Sequence, residues 1–141
     1  MWRRLKNFFV SLKTYDDLSP DVRFRYQVSR RLDHRPELTL CEWFEAFWQP
    51  LGIEPAIAEF VYGSFSKYSG LPFARVTPRD RLEDDLCWSE VCWFDWELTL
   101  IDDFYDRFNR DLSDHFIPES LDTVEDFVRF LNDQLSTVQS T

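Results

Sequence analysis

The sequence predicts an all-α protein, on three observations. Its 141 residues include only 3 Gly and 7 Pro, too few chain-turning residues for an all-β fold. Apolar side chains recur at steps of three and four in stretch after stretch, the spacing that lines one face of a helix. Helix-starting and helix-stopping residues bracket those stretches. Hydrophobic residues make up 44% and include 14 Phe and 6 Trp, which supplies a core and excludes a disordered chain.

In chain order, Leu5, Phe8, Phe9 and Leu12 share one face of a short amphipathic helix with Arg3, Lys6 and Lys13 elsewhere. It reads as packed on its own domain; the competing reading is a docking helix for a membrane surface or a partner. Ser19 and Pro20 form a cap and first-turn pair for a helix from about Pro20 to Asp33, which ends before Pro36. Thr39 caps an aromatic helix from Leu40 to Trp48, stopped by Pro50 and Gly52. Pro55 opens the next helix, with Ile57, Phe60, Val61, Phe65 and Tyr68 on one side and Gly70 at its end. Residues 71–86 show no sustained period and read as a long loop, a feature that has a function or is tightly packed.

Ser89 then caps the strongest helix, about Glu90 to Asn109, whose Val91, Phe94, Leu98, Ile101, Tyr105 and Phe108 form one stripe. Residues 113–120 are a polar loop with room for one turn. Asp122 and Glu125 resemble a capping box ahead of a last helix carrying Val124, Phe127, Val128, Leu131 and Leu135. Residues 136–141 form a polar, frayed tail.

The formal net charge of −10 disfavours nucleic acid, whose phosphates require Lys and Arg. The charge is segregated. Residues 1–35 hold nine basic residues against four acids, and residues 83–126 hold fifteen acids against Arg107 and Arg110. A basic head and an acidic body attract each other, within one chain or between chains. Cys41, Cys87 and Cys92 form no CxxC pair and no even set, so a reducing cytoplasm is the simplest location. No metal is expected, because His34 and His115 have no ligand spacing around them. No stretch has the length of a membrane span, so no stable membrane insertion is expected, and the apolar run near the N-terminus is too short for a signal peptide and lacks a cleavage site. Cys87 or Cys92 as a nucleophile would need a histidine base, and neither histidine is well placed; catalysis is not expected.

The second half carries four short motifs in order. Val76-Thr77-Pro78 and Leu82-Glu83-Asp84-Asp85-Leu86 lie in the long loop, an acidic run ending in Phe spans residues 102–108, and Thr123-Val124-Glu125-Asp126 opens the last helix. Over about residues 54–135 this order resembles the acyl carrier protein family. The resemblance implies a four-helix bundle at 54–141 with an N-terminal helical extension at 1–53 packing on it. The family's Asp-Ser-Leu, whose serine carries the phosphopantetheine arm, is replaced by Leu86-Cys87-Trp88-Ser89-Glu90, with about four residues inserted. The chain is thus similar to bacterial carrier-like proteins that lack the serine. Ser89 is the one serine nearby; capping a helix accounts for it, and carrying phosphopantetheine is the alternative. No cofactor is implied otherwise.

On a helical wheel, a second apolar group of Trp93, Trp96, Leu100 and Phe104 lies beside the main stripe of the 90–109 helix, leaving a strip of Asp95, Asp102 and Asp106 with Asp103 at its edge. A surface helix of a small bundle needs only about a 100° stripe. Either the residues before 54, with Trp43, Phe44, Phe47 and Trp48, cover the excess, or Trp88, Trp93, Trp96 and Leu100 are an exposed docking patch. The resemblance adds that carriers meet basic patches of their enzymes through this helix. The expected function is therefore a non-catalytic, carrier-like adaptor that docks a protein partner with a basic patch. The partner-binding candidates are Trp88, Trp93, Asp95, Trp96, Leu100, Asp102 and Asp106. Homo-oligomers are compatible with the same surface, and the alternative is a working acyl or peptidyl carrier modified at Ser89.

Overall fold

The computed structural model describes residues 20–139. The amphipathic helix expected near the N-terminus and the cap assigned to Ser19 lie outside the described residues. Within them are six α-helices and one isolated antiparallel bridge, between Arg81 and Thr123. No strand is present among the described residues.

Helix α1, Val22–Leu32, starts two residues later than expected because Asp21 takes the capping role: its carboxylate accepts the Arg23 N–H. Helix α2, Leu40–Trp43, opens on the expected Thr39. Thr39 Oγ1 accepts from Glu42 N–H while Glu42 accepts from Thr39 N–H, a reciprocal capping box. It continues as a π turn, Phe44–Trp48, and a 3₁₀ turn, Gln49–Leu51, that ends at Gly52 with φ +76°. Helix α3, Pro55–Ser69, stops at Gly70 with φ +71°, a left-handed position that suits glycine. Helix α6, Val124–Gln139, runs beyond Leu135, where fraying was expected. Its capping pair is Thr123 with Asp126, one residue later than the Asp122–Glu125 pair read from sequence.

The largest correction concerns residues 88–109. The single long helix is two: α4, Trp88–Val91, and α5, Trp96–Phe108. Between them Cys92 is extended, with φ −82° and ψ 155°. In a continuous helix the carbonyls of Glu90 and Val91 would accept from residues 94 and 95. Here Glu90 O accepts from Asp21 N–H at 2.9 Å and Val91 O from Arg25 Nε at 2.7 Å. The start of α1 thus satisfies the carbonyls that end α4. Periodicity reports only which residues share a face, and Arg25 is 66 residues away.

The long loop, residues 71–86, is tightly packed. Leu71, Phe73, Val76, Leu82 and Leu86 are buried, and a 3₁₀ turn spans Phe73–Arg75. Buried Asp80 anchors it by pairing with Arg35 at 2.7 and 2.9 Å and accepting the Thr77 N–H at 2.8 Å. The loop is laced to the start of α6 through Leu82 N–H to Asp122 O and Val124 N–H to Asp80 O. One hydrophobic cluster runs from Val28 and Leu32 through Trp43, Trp48 and α3 to Val128 and Leu131, so residues 20–53 share the core of the rest.

Candidate functional site

The sequence-derived surface is dispersed by the fold. Trp88 and Leu100 are core residues, 2% and 0% exposed, and cannot belong to an exposed patch. Trp93 is 42% exposed; Asp95, Trp96 and Asp102 are half-buried; Asp106 is exposed. Among the described residues, Trp43 and Trp48 make their ring contacts with each other and with Tyr62, not with Trp93 or Trp96. Trp43 Nε1 is held by the loop, donating to Val76 O at 2.8 Å. The group that meets Trp96 comes instead from the C-terminal half: Phe116 at 5.8 Å and Phe127 at 5.9 Å, between ring centroids. The wheel's main stripe also shifts. Leu100 and Phe104 are the fully buried line of α5, whereas Tyr105 is 52% exposed. Asp103 is not a solvated edge, because Tyr68 Oη donates to it at 2.6 Å and Lys67 Nζ at 3.2 Å.

What the fold does assemble is a cleft of about 400 Å³ where α4, the first turn of α5 and the loop before α6 converge. Leu82, Trp88, Trp96, Pro118, Leu121 and Phe127 supply its apolar lining, and Glu83, Glu97 and Glu119 supply carboxylates. The break at Cys92–Asp95 creates it. A straight helix would carry residues 88 and 96 about 12 Å apart along one axis. The turn instead sets the two indoles edge to face, 5.8 Å apart. Phe127 braces both, at 6.4 Å from Trp88 and 5.9 Å from Trp96.

Ser89 stands at the exposed edge of this cleft with a role opposite to the one expected. It does not cap a helix. Glu83 reaches over to α4 and accepts the Ser89 N–H at 3.0 Å and its hydroxyl at 2.7 Å, so Glu83 is the capping group. The residue at the N-cap position of α4 is Cys87, held at φ +53° and ψ 48°, where a non-glycine residue is strained. Trp88 Nε1 is buried and has no hydrogen-bond partner. Such a donor costs about 1–3 kcal/mol, and it belongs to a residue of the cleft lining.

A second cavity, of about 360 Å³, is lined by Arg35, Pro36, Leu38, Phe47, Ala74, Arg75 and Thr77. Its arginines are committed. Arg35 is held by Asp80, whose hydrogen bonds raise the guanidinium's already high pKa. Arg75 donates to the carbonyls of Asp33 and Arg35.

Among the described residues no three His, Cys, Asp or Glu side chains are grouped to hold a metal. Burial pushes the Cys92 thiol well above its ordinary range, the opposite of an activated nucleophile. His115 is exposed, and the nearby Asp111 carboxylate is held below its usual range by the hydroxyl and N–H of Ser113. No helix among the described residues is long and apolar enough to cross a membrane.

No protein-family model matches the chain, and no curated protein and no solved structure is significantly similar to it.

The cleft was only half legible. Trp88 and Trp96 stood out by residue type, but Leu82, Glu83, Pro118, Glu119, Leu121 and Phe127 come from segments that sequence reading assigned to loop and core. The signal available was the loop motif that begins at Leu82-Glu83, the two of its residues that line the site.

Proposed function

We propose that the chain is a non-catalytic adaptor that docks a protein partner at the cleft between α4, α5 and the start of α6. One observation carries this reading: half-buried Trp96, backed by buried Trp88 and Phe127, lines a cleft together with the exposed carboxylates of Glu83 and Glu119. Recognition sites combine apolar walls with a few fixed polar groups in this way, and the volume falls within their usual range. The cleft takes over the docking role first assigned to the exposed face of the long helix, retaining Trp88 and Trp96 as lining residues.

The carrier-like arrangement is part of the proposal and rests on element order. Val76-Thr77-Pro78 lies in the packed connection, the acidic run lies in α5, and Thr123 caps α6. Modification of Ser89 draws less support. A phosphodiester there would add negative charge beside Glu83 and Glu90 in a cleft that Glu97 and Glu119 also line.

The test is a selection of peptides from a random display library against the full chain, followed by affinity measurements on variants. Selected peptides are expected to compete with one another and to lose at least about tenfold in affinity, or ~1.4 kcal/mol, on Trp96→Ala. Binders indifferent to Trp96→Ala and to Glu119→Lys would contradict the reading. Incubation with coenzyme A and a broad-specificity phosphopantetheinyl transferase is expected to leave the intact mass unchanged; added mass that disappears in Ser89→Ala would restore the carrier alternative.

A further inference from the structure

Resting on that docking reading, we infer that the occupant of the cleft is a lysine or arginine side chain on a basic segment of another protein. Three features of the lining converge on a cation with an apolar stem. Indole faces attract cations through their ring quadrupoles, and Trp96, half-buried, is the aromatic of the lining that reaches the surface, with Trp88 and Phe127 packed beneath it. Leu82, Pro118 and Leu121 offer the apolar contact that the methylenes of Lys and Arg use when the charged head reaches polar groups. Glu83 and Glu119, both exposed and both in the lining, then supply carboxylates for the head.

Charge decides among ligand classes. An anion entering this lining meets the carboxylates of Glu83 and Glu119. A neutral apolar ligand would strip water from them and return nothing, which is costly. A cation converts the same desolvation into charge-assisted hydrogen bonds. Glu83 is already oriented for this, because its partners are the neutral N–H and hydroxyl of Ser89, which fix the carboxylate without cancelling its charge. The surrounding segment has the same sign, with fifteen acids against two arginines over residues 83–126. Such a field draws a basic partner in from a distance. Glu83, Ser89 and Glu119 are exposed, so the site is a surface cleft that admits one side chain of a larger body.

The experiment titrates the full chain with short acetylated peptides that differ at one central position: Arg, Lys, citrulline, norleucine or Glu. Binding is read from tryptophan indole N–H shifts and from affinity. Arg and Lys peptides are expected to bind about fivefold or more tightly than citrulline and norleucine, to shift the Trp88 and Trp96 indoles, and to lose that preference in Glu119→Gln and at high salt. Equal binding of arginine and norleucine in the cleft overturns the inference and leaves the docking reading standing. Library-selected peptides that bind elsewhere, untouched by Trp96→Ala, overturn both. In the full chain with Arg3, Arg4, Lys6 and Lys13 all changed to Gln, affinity for the arginine peptide is expected to stay the same. A rise of about tenfold would make the chain's own basic head the occupant and overturn the assignment to a partner.

Discussion

Arg25 donates from Nε to the carbonyl oxygen of Val91 at 2.7 Å, and this bond joins the first described helix to the bend from which the cleft is built. With the Asp21 N–H on Glu90 O, it removes two acceptors that a continuous helix through residues 94 and 95 would have used. Arg25→Met keeps most of the stem and removes the guanidinium. It is expected to destabilise the protein by about 1.5–3 kcal/mol, the range for a hydrogen bond from a charged donor. Arg25→Lys should recover part of the loss. Urea unfolding checks both, and an unchanged midpoint for Arg25→Met would show that the bend does not depend on this bond.

Gly70 leaves room for that arginine. A Cβ at position 70 would lie 2.8 Å from Arg25 Cζ, and φ at this position is +71°. The Arg25 head cannot swing away freely, because it also reaches Tyr68 O. Gly70→Ala is expected to cost about 1–3 kcal/mol, combining left-handed strain with displacement of Arg25. In an Arg25→Ala background the cost should shrink to the backbone part alone, giving a measurable coupling in a double-mutant cycle. Equal costs in the two backgrounds would remove the steric link.

Asp80 holds the long connection through Arg35 and the Thr77 N–H, and it is 5% exposed. Asp80→Ala leaves the Arg35 guanidinium with only the Arg75 carbonyl and the Thr77 N–H without its acceptor, and is expected to cost about 3 kcal/mol. Asp80→Asn retains an acceptor and should cost less. Thermal unfolding checks the order, and a neutral Asp80→Ala would mean that the connection is held by its apolar residues alone.

These dependencies explain what could be read in advance. The Thr39 cap, the Pro55 start and the Gly70 stop are local events, decided within a few residues, and all three occur as the sequence suggests. The apolar face of α3, with Ile57, Phe60, Val61, Phe65 and Tyr68 buried, followed from spacing alone. The break at Cys92 did not, because its cause is a donor 66 residues earlier in the chain. The same break redistributes the residues of the candidate surface. On a straight helix Trp93, Trp96, Leu100 and Phe104 fall on a shared flank, whereas in the structure Leu100 and Phe104 are buried, Trp93 is exposed and Trp96 packs against Phe116 and Phe127. Glu83 and Glu119 are 36 positions apart, and no periodicity connects residues at that separation.

Alkaline pH should weaken the fold. Burial, reinforced by the bond to Asp103, pushes the Tyr68 phenol well above its ordinary range, and burial does the same to the Cys92 thiol despite nearby Arg25. In the unfolded chain these groups lose protons near pH 8.5 for the thiol and about 10 for the phenol. Above those values the unfolded state binds fewer protons than the folded state, so stability falls as pH rises and is fully present below about pH 8. Urea midpoints from pH 7 to 10.5 are expected to decline. Cys92→Ala should flatten the lower part of that decline and Tyr68→Phe the upper part. Parallel profiles for wild type and both variants would contradict the assignment.

The most direct test of the account is positional photo-crosslinking with a cleft-selected peptide. A photoreactive phenylalanine analogue is placed in turn at Leu121, which lines the cleft, and at Tyr105, which is 52% exposed on α5 outside that lining. The peptide is expected to crosslink from position 121 and not from position 105, and excess arginine peptide to suppress the product. Crosslinking from position 105 with none from position 121 would contradict the cleft as the docking site and return the function to the exposed face of α5.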